Sequence, residues 1–106
     1  MTVSVTDLQY VALAVPDIVA ESDFFRDVWK LEAVGEQDGM VYLAAAGSAH
    51  PYVIRLRQDG VRKTDLIGYS AASRADVDAL FGQVQASGAR IISAPGDAAG
   101  PAGGYA

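Results

Sequence analysis

The sequence predicts an α+β domain in which a strand, a helix and three strands are followed by a second start of the same pattern. Three observations carry this reading. A short apolar run at residues 8–15 (LQYVALAV) stops at Pro16-Asp17 and gives way to helical spacing. Residues 40–46 (MVYLAAA) and 52–57 (YVIRLR) have strand composition and are bounded by turn residues. The strand–cap–helix order then returns at a constant offset of 56 residues, which matches Phe25 to Phe81, Val28 to Val84 and Asp17 to Ser73.

The bulk properties set outer limits. A chain of 106 residues makes one domain and is long enough to bury a core without staples. It contains no Cys, which excludes disulfides, zinc–thiolate sites and thiol chemistry and fits a reducing cytoplasm. The start, MTVSVTDLQYV, lacks the basic and apolar regions of a secretion signal, and no apolar run approaches a membrane span. The net charge of −5 argues against nucleic acid as a partner. The hydrophobic share of 51% owes much to Ala and points to a core of small residues.

Element by element, Asp17 is placed to cap the helix after Pro16, and Ile18, Phe25, Val28 and Trp29 recur at helical spacing to an end near Lys30. Residues 35–39 (GEQDG) have turn chemistry, and the short piece at 32–34 is expected to pair with the strand at 40–46. Residues 47–51 form another turn. Strict alternation in the strand at 52–57 would put Tyr52, Ile54 and Leu56 on one face and Val53, Arg55 and Arg57 on the other. Residues 58–65 (QDGVRKTD) are a polar linker. Residues 66–71 (LIGYSA) are a strand. Ser73 with Asp76 is a variant capping box ahead of Val77, Leu80, Phe81 and Val84, and Gly88 stands where a helix stop belongs. Residues 89–93 (ARIIS) read as a strand, and residues 95–104 as a Gly/Pro/Ala loop.

The stretch LQYVALAVPDIVAESDFFRDVWKLEAV resembles the opening of the vicinal oxygen chelate superfamily, which contains glyoxalase I, bleomycin-resistance proteins and type I extradiol dioxygenases. The family pattern is a strand, Val-Pro-Asp, and a helix ending in a Phe-Tyr-Arg-Asp-Val-Leu-Gly-Leu-like run, here Phe24 to Leu31 with Lys30 in place of the usual Gly. The resemblance implies paired βαβββ modules that form a curved mixed sheet, a cup with helices outside. Module one would span about residues 6–58, and an apparently incomplete module two about residues 65–106. With Val11, Leu13 and Val15 under the helix, Tyr10, Ala12 and Ala14 would face the cup.

The resemblance also implies a metal site, with one ligand on the first strand of a module, one on the matching strand of the second, and a Glu on the last strand. Here those positions hold Tyr10 and, 56 residues on, Leu66, while the third lies past Ala106. A Leu has no donor, so neither a metal nor a catalytic residue is expected in this segment. The family continues beyond this point with further strands, so the chain is expected to be the front of a longer polypeptide. The resemblance is greatest to the N-terminal, metal-free domain of a type I extradiol dioxygenase, an oxidoreductase that acts on a catechol-type ring with Fe(II) in a C-terminal domain. The other reading is a stand-alone, non-catalytic binder of the bleomycin-resistance kind.

The candidate substrate-binding residues are Tyr10, Arg55 and Arg57. Tyr10 either donates a phenolic hydrogen bond to a ligand or fills the space of an absent metal. Arg55 and Arg57 either face the cup and pair with an anion, or face solvent or a domain interface. His50, in the turn Ser48-Ala49-His50-Pro51, reads as a solvated loop residue, and Tyr42 and Tyr69 as packing residues. The glycines of residues 96–104 lack the spacing of a phosphate loop. The expected partners are a small aromatic molecule and either a second copy of the chain or an intrachain domain, with neither nucleic acid nor membrane.

Overall fold

The structure is a computed structural model, which describes residues 3–97 and 104–106. Its elements are β1 (Asp7–Val15), α1 (Ile18–Asp27), β2 (Glu32–Gln37), β3 (Met40–Ala44), β4 (Ile54–Gln58), β5 (Lys63–Ser70) and α2 (Arg74–Ala86). The strands form one five-stranded mixed sheet in the order β2-β3-β4-β1-β5. The α+β class is therefore as the sequence predicts, with strand, helix and three strands in the first part. Two compact units make up the chain: residues 8–68, and the lead-in through Asp7 together with residues 69 onward.

In the first unit, β1 runs parallel to β4 and β4 antiparallel to β3, with Leu13 beside Leu56 and Leu56 beside Val41. That register puts apolar residues of three strands on one face. Val15, Leu43 and Leu56 are fully buried there, and Leu13, Ile18, Phe25, Leu31, Val41 and Ile54 pack against them. Burying each such Leu or Val is worth roughly 1.5–3 kcal/mol, so this cluster is the main support of the unit. The expected face assignment of β1 holds for Leu13 and Val15, which belong to the helix-side core, whereas Val11 is not among the residues packed there.

The helix begins as the sequence predicts, because the Ala20 amide donates to Asp17 Oδ1 at 3.1 Å. It ends earlier than the apolar spacing implies. Val28 is the C-cap, and the chain turns at Lys30, whose φ of 61° is the left-handed conformation that favours Gly. Val28 and Trp29 are thereby carried off the apolar stripe and stand 63% and 65% exposed; Leu31, past the turn, joins the core in their place. The Gln58 side chain ties the junction: it accepts from the Ile18 amide at 3.0 Å and donates to the Pro16 carbonyl.

β2 extends to Gln37, so only Asp38-Gly39 remains as a turn, with φ of 54° and 77°. Positive φ at both central residues is the two-residue hairpin geometry whose twist suits paired strands. β5 begins at Lys63, inside the segment read as a linker, and Asp65 is already one of its residues.

In the second unit α2 is capped by Ser73, whose Oγ accepts from the Asp76 amide at 3.1 Å, and Gly88 follows its end at φ 82°. Thr6 donates its amide to the Ser70 carbonyl at 2.7 Å. The strand expected at 89–93 is not formed: those residues have no ladder partner, and Ile92 is 94% exposed. A strand needs a neighbour for its amides, and the described residues supply none there. Instead Asp97 bridges Tyr105, whose phenol donates to Asp78 at 2.5 Å and lies under the Arg74 guanidinium, 4.8 Å from the ring centre. The loop read at residues 95–104 lies mostly outside the described residues.

Candidate functional site

The sheet face opposite the Leu43–Leu56 cluster carries the candidate residues, beside the buried Ala12, Ala14 and Tyr42. Alternation along β1 puts Tyr10, Ala12 and Ala14 there, and the register adds Tyr42 and Arg55, which are direct cross-strand partners. Arg55 also pairs with Ala12, and Arg57 with Ala14. Both arginines are thus on the same sheet face as Tyr10.

Three tyrosines gather at the Tyr10 end. Tyr10 meets Tyr52 edge to face at 5.0 Å and 64°, and Tyr52 meets Tyr42 at 4.8 Å and 73°. Edge-to-face contact puts the positive ring edge of one on the negative face of the next, a contribution of about 0.5–1.5 kcal/mol per pair beyond area burial. Tyr42 is the buried member at 5% exposure, as a packing residue should be, while Tyr10 and Tyr52 are half-buried; Tyr69, also read as a packing residue, is instead 60% exposed. Burial and the two neighbouring phenols push the Tyr52 pKa above its ordinary value, with Arg55 pulling the other way.

Tyr52 was expected on the face opposite Arg55, and that expectation fails. The regular ladder starts only at Ile54, and a bend at Val53 breaks the alternation, so the Tyr52 ring joins Tyr10 and Tyr42. The visible hint is Pro51, which marks a turn that still shapes the next residues.

The two arginines differ in their surroundings. Arg57 is held in a fork by Asp65, with Nε to Oδ2 at 2.6 Å and Nη2 to Oδ1 at 2.8 Å, and its Nη1 donates to Asp59 at 3.0 Å. Lys63 reaches the same Asp59 at 3.3 Å. Hydrogen bonds from Asp65 and then Asp59 drive the Arg57 pKa further up. The Asp65 carboxyl is held below its usual range by Arg57, and that of Asp59 by the Val61 amide and then Arg57. Arg55, half-buried, has no hydrogen bond or ion pair among the described residues.

The positions that the resemblance assigns to metal ligands hold Tyr10, on β1, and Leu66, on β5. Leu66, on β5, is 44% exposed and offers no donor, and a phenol at position 10 alone makes no centre. Among the described residues no three His, Cys, Asp or Glu side chains are grouped to hold an ion. His50 is half-buried in its turn, with its amide donating to Ser48 Oγ at 3.1 Å. Among the described residues, no helix is long and apolar enough to cross a membrane. On the core side, a cleft of about 250 Å³ opens between α1 and the β2–β3 hairpin, lined by Ile18, Ser22, Asp23, Arg26, Glu36 and Val41.

Comparison with known proteins bears on this arrangement. No family model matches the chain. A curated relative, the manganese-dependent 2,3-dihydroxybiphenyl 1,2-dioxygenase of Geobacillus genomosp. 3, is 27% identical over 86% of this chain and 29% of its own length. The Mn(II)-bound glyoxalase from Novosphingobium aromaticivorans matches with a TM-score of 0.93 and 41% identity over 97% of this chain and 34% of that one. An extradiol ring-cleaving dioxygenase from B. fuscum matches at 0.76 with 21% identity, covering 84% of this chain and 25% of that one, a likeness of fold. The chain thus spans about a third or less of each relative's length.

Proposed function

We propose that this chain, a domain of the vicinal oxygen chelate superfamily, is the metal-free N-terminal part of an extradiol dioxygenase-like oxidoreductase that acts on a catechol-type ring. The observation that carries the reading is the pairing of Tyr10 and Leu66 with a fold that matches one third of a Mn(II)-bound glyoxalase. A fold this similar, with hydrocarbon and phenol at the family's two ligand positions, has a use as a supporting domain and not as a metal centre. The relatives' length leaves room for a second domain, and this is where Fe(II) or Mn(II) would be held. In this chain the residues that remain able to contact a small aromatic molecule are Tyr10 and Arg55, with Arg57 behind them as a fixed charge.

The test has two parts. Titration of this chain with Mn(II) and with Fe(II) under anaerobic conditions is expected to give no stoichiometric binding. The full gene product is expected to carry one such ion per chain and to open the ring of 2,3-dihydroxybiphenyl with uptake of oxygen. A chain that binds one equivalent of metal by itself and opens that ring would overturn the proposal. A full gene product that is metal-free and inactive, but binds an aromatic ligand, would favour the stand-alone binder.

A further inference from the structure

The face bearing the tyrosine trio has polar groups with nothing to bind. The phenol oxygens of Tyr10 and Tyr52 and the guanidinium of Arg55 make no hydrogen bond or ion pair among the described residues. All three residues are half-buried, yet among the described residues no buried side-chain nitrogen or oxygen lacks a partner. Their polar ends must therefore reach the surface, where water serves them and a ligand would replace it. Tyr42 spends its hydroxyl only on a 4.0 Å approach to Met40 Sδ.

These groups converge. Arg55 is the cross-strand partner of Tyr42, whose ring meets Tyr52, whose ring meets Tyr10. On its other side Arg55 is the register partner of Ala12, which is fully buried. At position 68 the absence of a side chain leaves the Tyr10 ring its place. Arg57, two residues along, is the contrast that gives Arg55 its meaning. The same residue type on the same face is paired with two aspartates, whereas Arg55 makes no ion pair among the described residues and meets Asp65 only through its field.

We infer that the Tyr10–Tyr52–Arg55 surface is a binding site for a planar aromatic carboxylate, in which Arg55 forks the carboxylate and the tyrosine rings take the ring. A guanidinium offers two parallel N–H donors matched to a carboxylate, and aromatic edges and faces accept another ring in the same T-shaped manner they use with each other. A simple anion would satisfy only Arg55, and a neutral aromatic only the tyrosines. The inference does not depend on the dioxygenase reading, because it concerns binding to this chain and not turnover.

The experiment is a titration of the chain, in the presence of EDTA, with 2-naphthoate and separately with its neutral isostere 2-naphthamide, followed by amide chemical shifts and calorimetry. Naphthoate is expected to bind with shifts centred on residues 10, 12, 42, 52 and 55, and the amide about tenfold or more weakly, the loss typical of an unmade charged hydrogen bond. Arg55→Met is expected to reduce naphthoate affinity to that of the amide, and Arg90→Met, on an exposed segment, to leave it unchanged. Equal binding of naphthoate and naphthamide to the unmodified chain would overturn the inference without recourse to any variant. So would full affinity in Arg55→Met, shifts centred elsewhere, or no naphthoate binding at millimolar concentration.

Discussion

The Tyr10 ring occupies the space that a side chain at position 68 would need: a Cβ built on Gly68 would come within 2.6 Å of Tyr10 Cδ1 and closer still to Cε1. The ring cannot simply swing aside, because it is also stacked edge-on against Tyr52. Gly68→Ala is therefore expected to destabilise the domain by about 1–3 kcal/mol, the usual range for overpacking. Tyr10→Ala in the same chain removes the obstacle, so the double variant should lose less than the two single losses combined. Urea unfolding of the four proteins measures this, and strict additivity would show that the contact carries no strain.

Lys30 has a φ of 61°, a conformation that costs an L residue roughly 1–2 kcal/mol and a Gly almost nothing. Its side chain is exposed and has no ion pair among the described residues. Lys30→Gly is expected to stabilise the domain by about 1 kcal/mol, less the extra entropy a Gly gains in the unfolded chain. A lower urea midpoint for the variant would mean that the lysine makes a compensating contact.

Both helices depend on a single side-chain cap. Asp17 takes the Ala20 amide and Ser73 the Asp76 amide, each at 3.1 Å. Asp17→Ala and Ser73→Ala should each cost about 1 kcal/mol, and Asp17→Ala somewhat more at low salt, because the carboxylate also faces the helix dipole. Thermal melts at two salt concentrations separate these contributions; the Ser73 variant should show no salt dependence of its loss.

How far the sequence alone reaches is visible in these same residues. The caps at Asp17 and Ser73 and the core pattern of Leu13, Val15 and Phe25 follow local rules, and local rules are written in neighbouring residues; the turn read at 35–39 is placed only in part, at Asp38-Gly39. The places where the reading failed are set by distant ones. Trp29 has helical spacing but falls after a left-handed turn, Tyr52 is rotated by the bend at Val53, and residues 89–93 have strand composition without a neighbour. The candidate site was half legible. Arg55 follows from face alternation and Tyr10 from the resemblance, but the different states of Arg55 and Arg57 depend on Asp65, which the sequence placed in a linker and the fold places in β5.

The Arg57–Asp65–Asp59 cluster also sets a pH dependence whose sign can be worked out. Both carboxyls have folded pKa values below their ordinary 3.8, so the folded state binds protons less readily than the unfolded state. The stability they contribute is fully present above about pH 4 and is lost as pH falls through the depressed values. Asp65→Asn should therefore lower the urea midpoint at pH 7, where the fork to Arg57 is charged, and the gap to the unmodified protein should close as pH falls below 4. High salt should weaken the effect only in part, because Asp65 is 17% exposed and Arg57 32%. The same variant leaves Arg57 with only Asp59, so naphthoate binding to Asp65→Asn tests whether a freed second arginine strengthens the anion site. Tighter binding there, with Arg55→Met still weak, would mean that Asp65 keeps Arg57 from competing with Arg55 for the carboxylate. A gap in stability that stays constant from pH 7 to pH 2 would show that the fork acts through packing and not through charge.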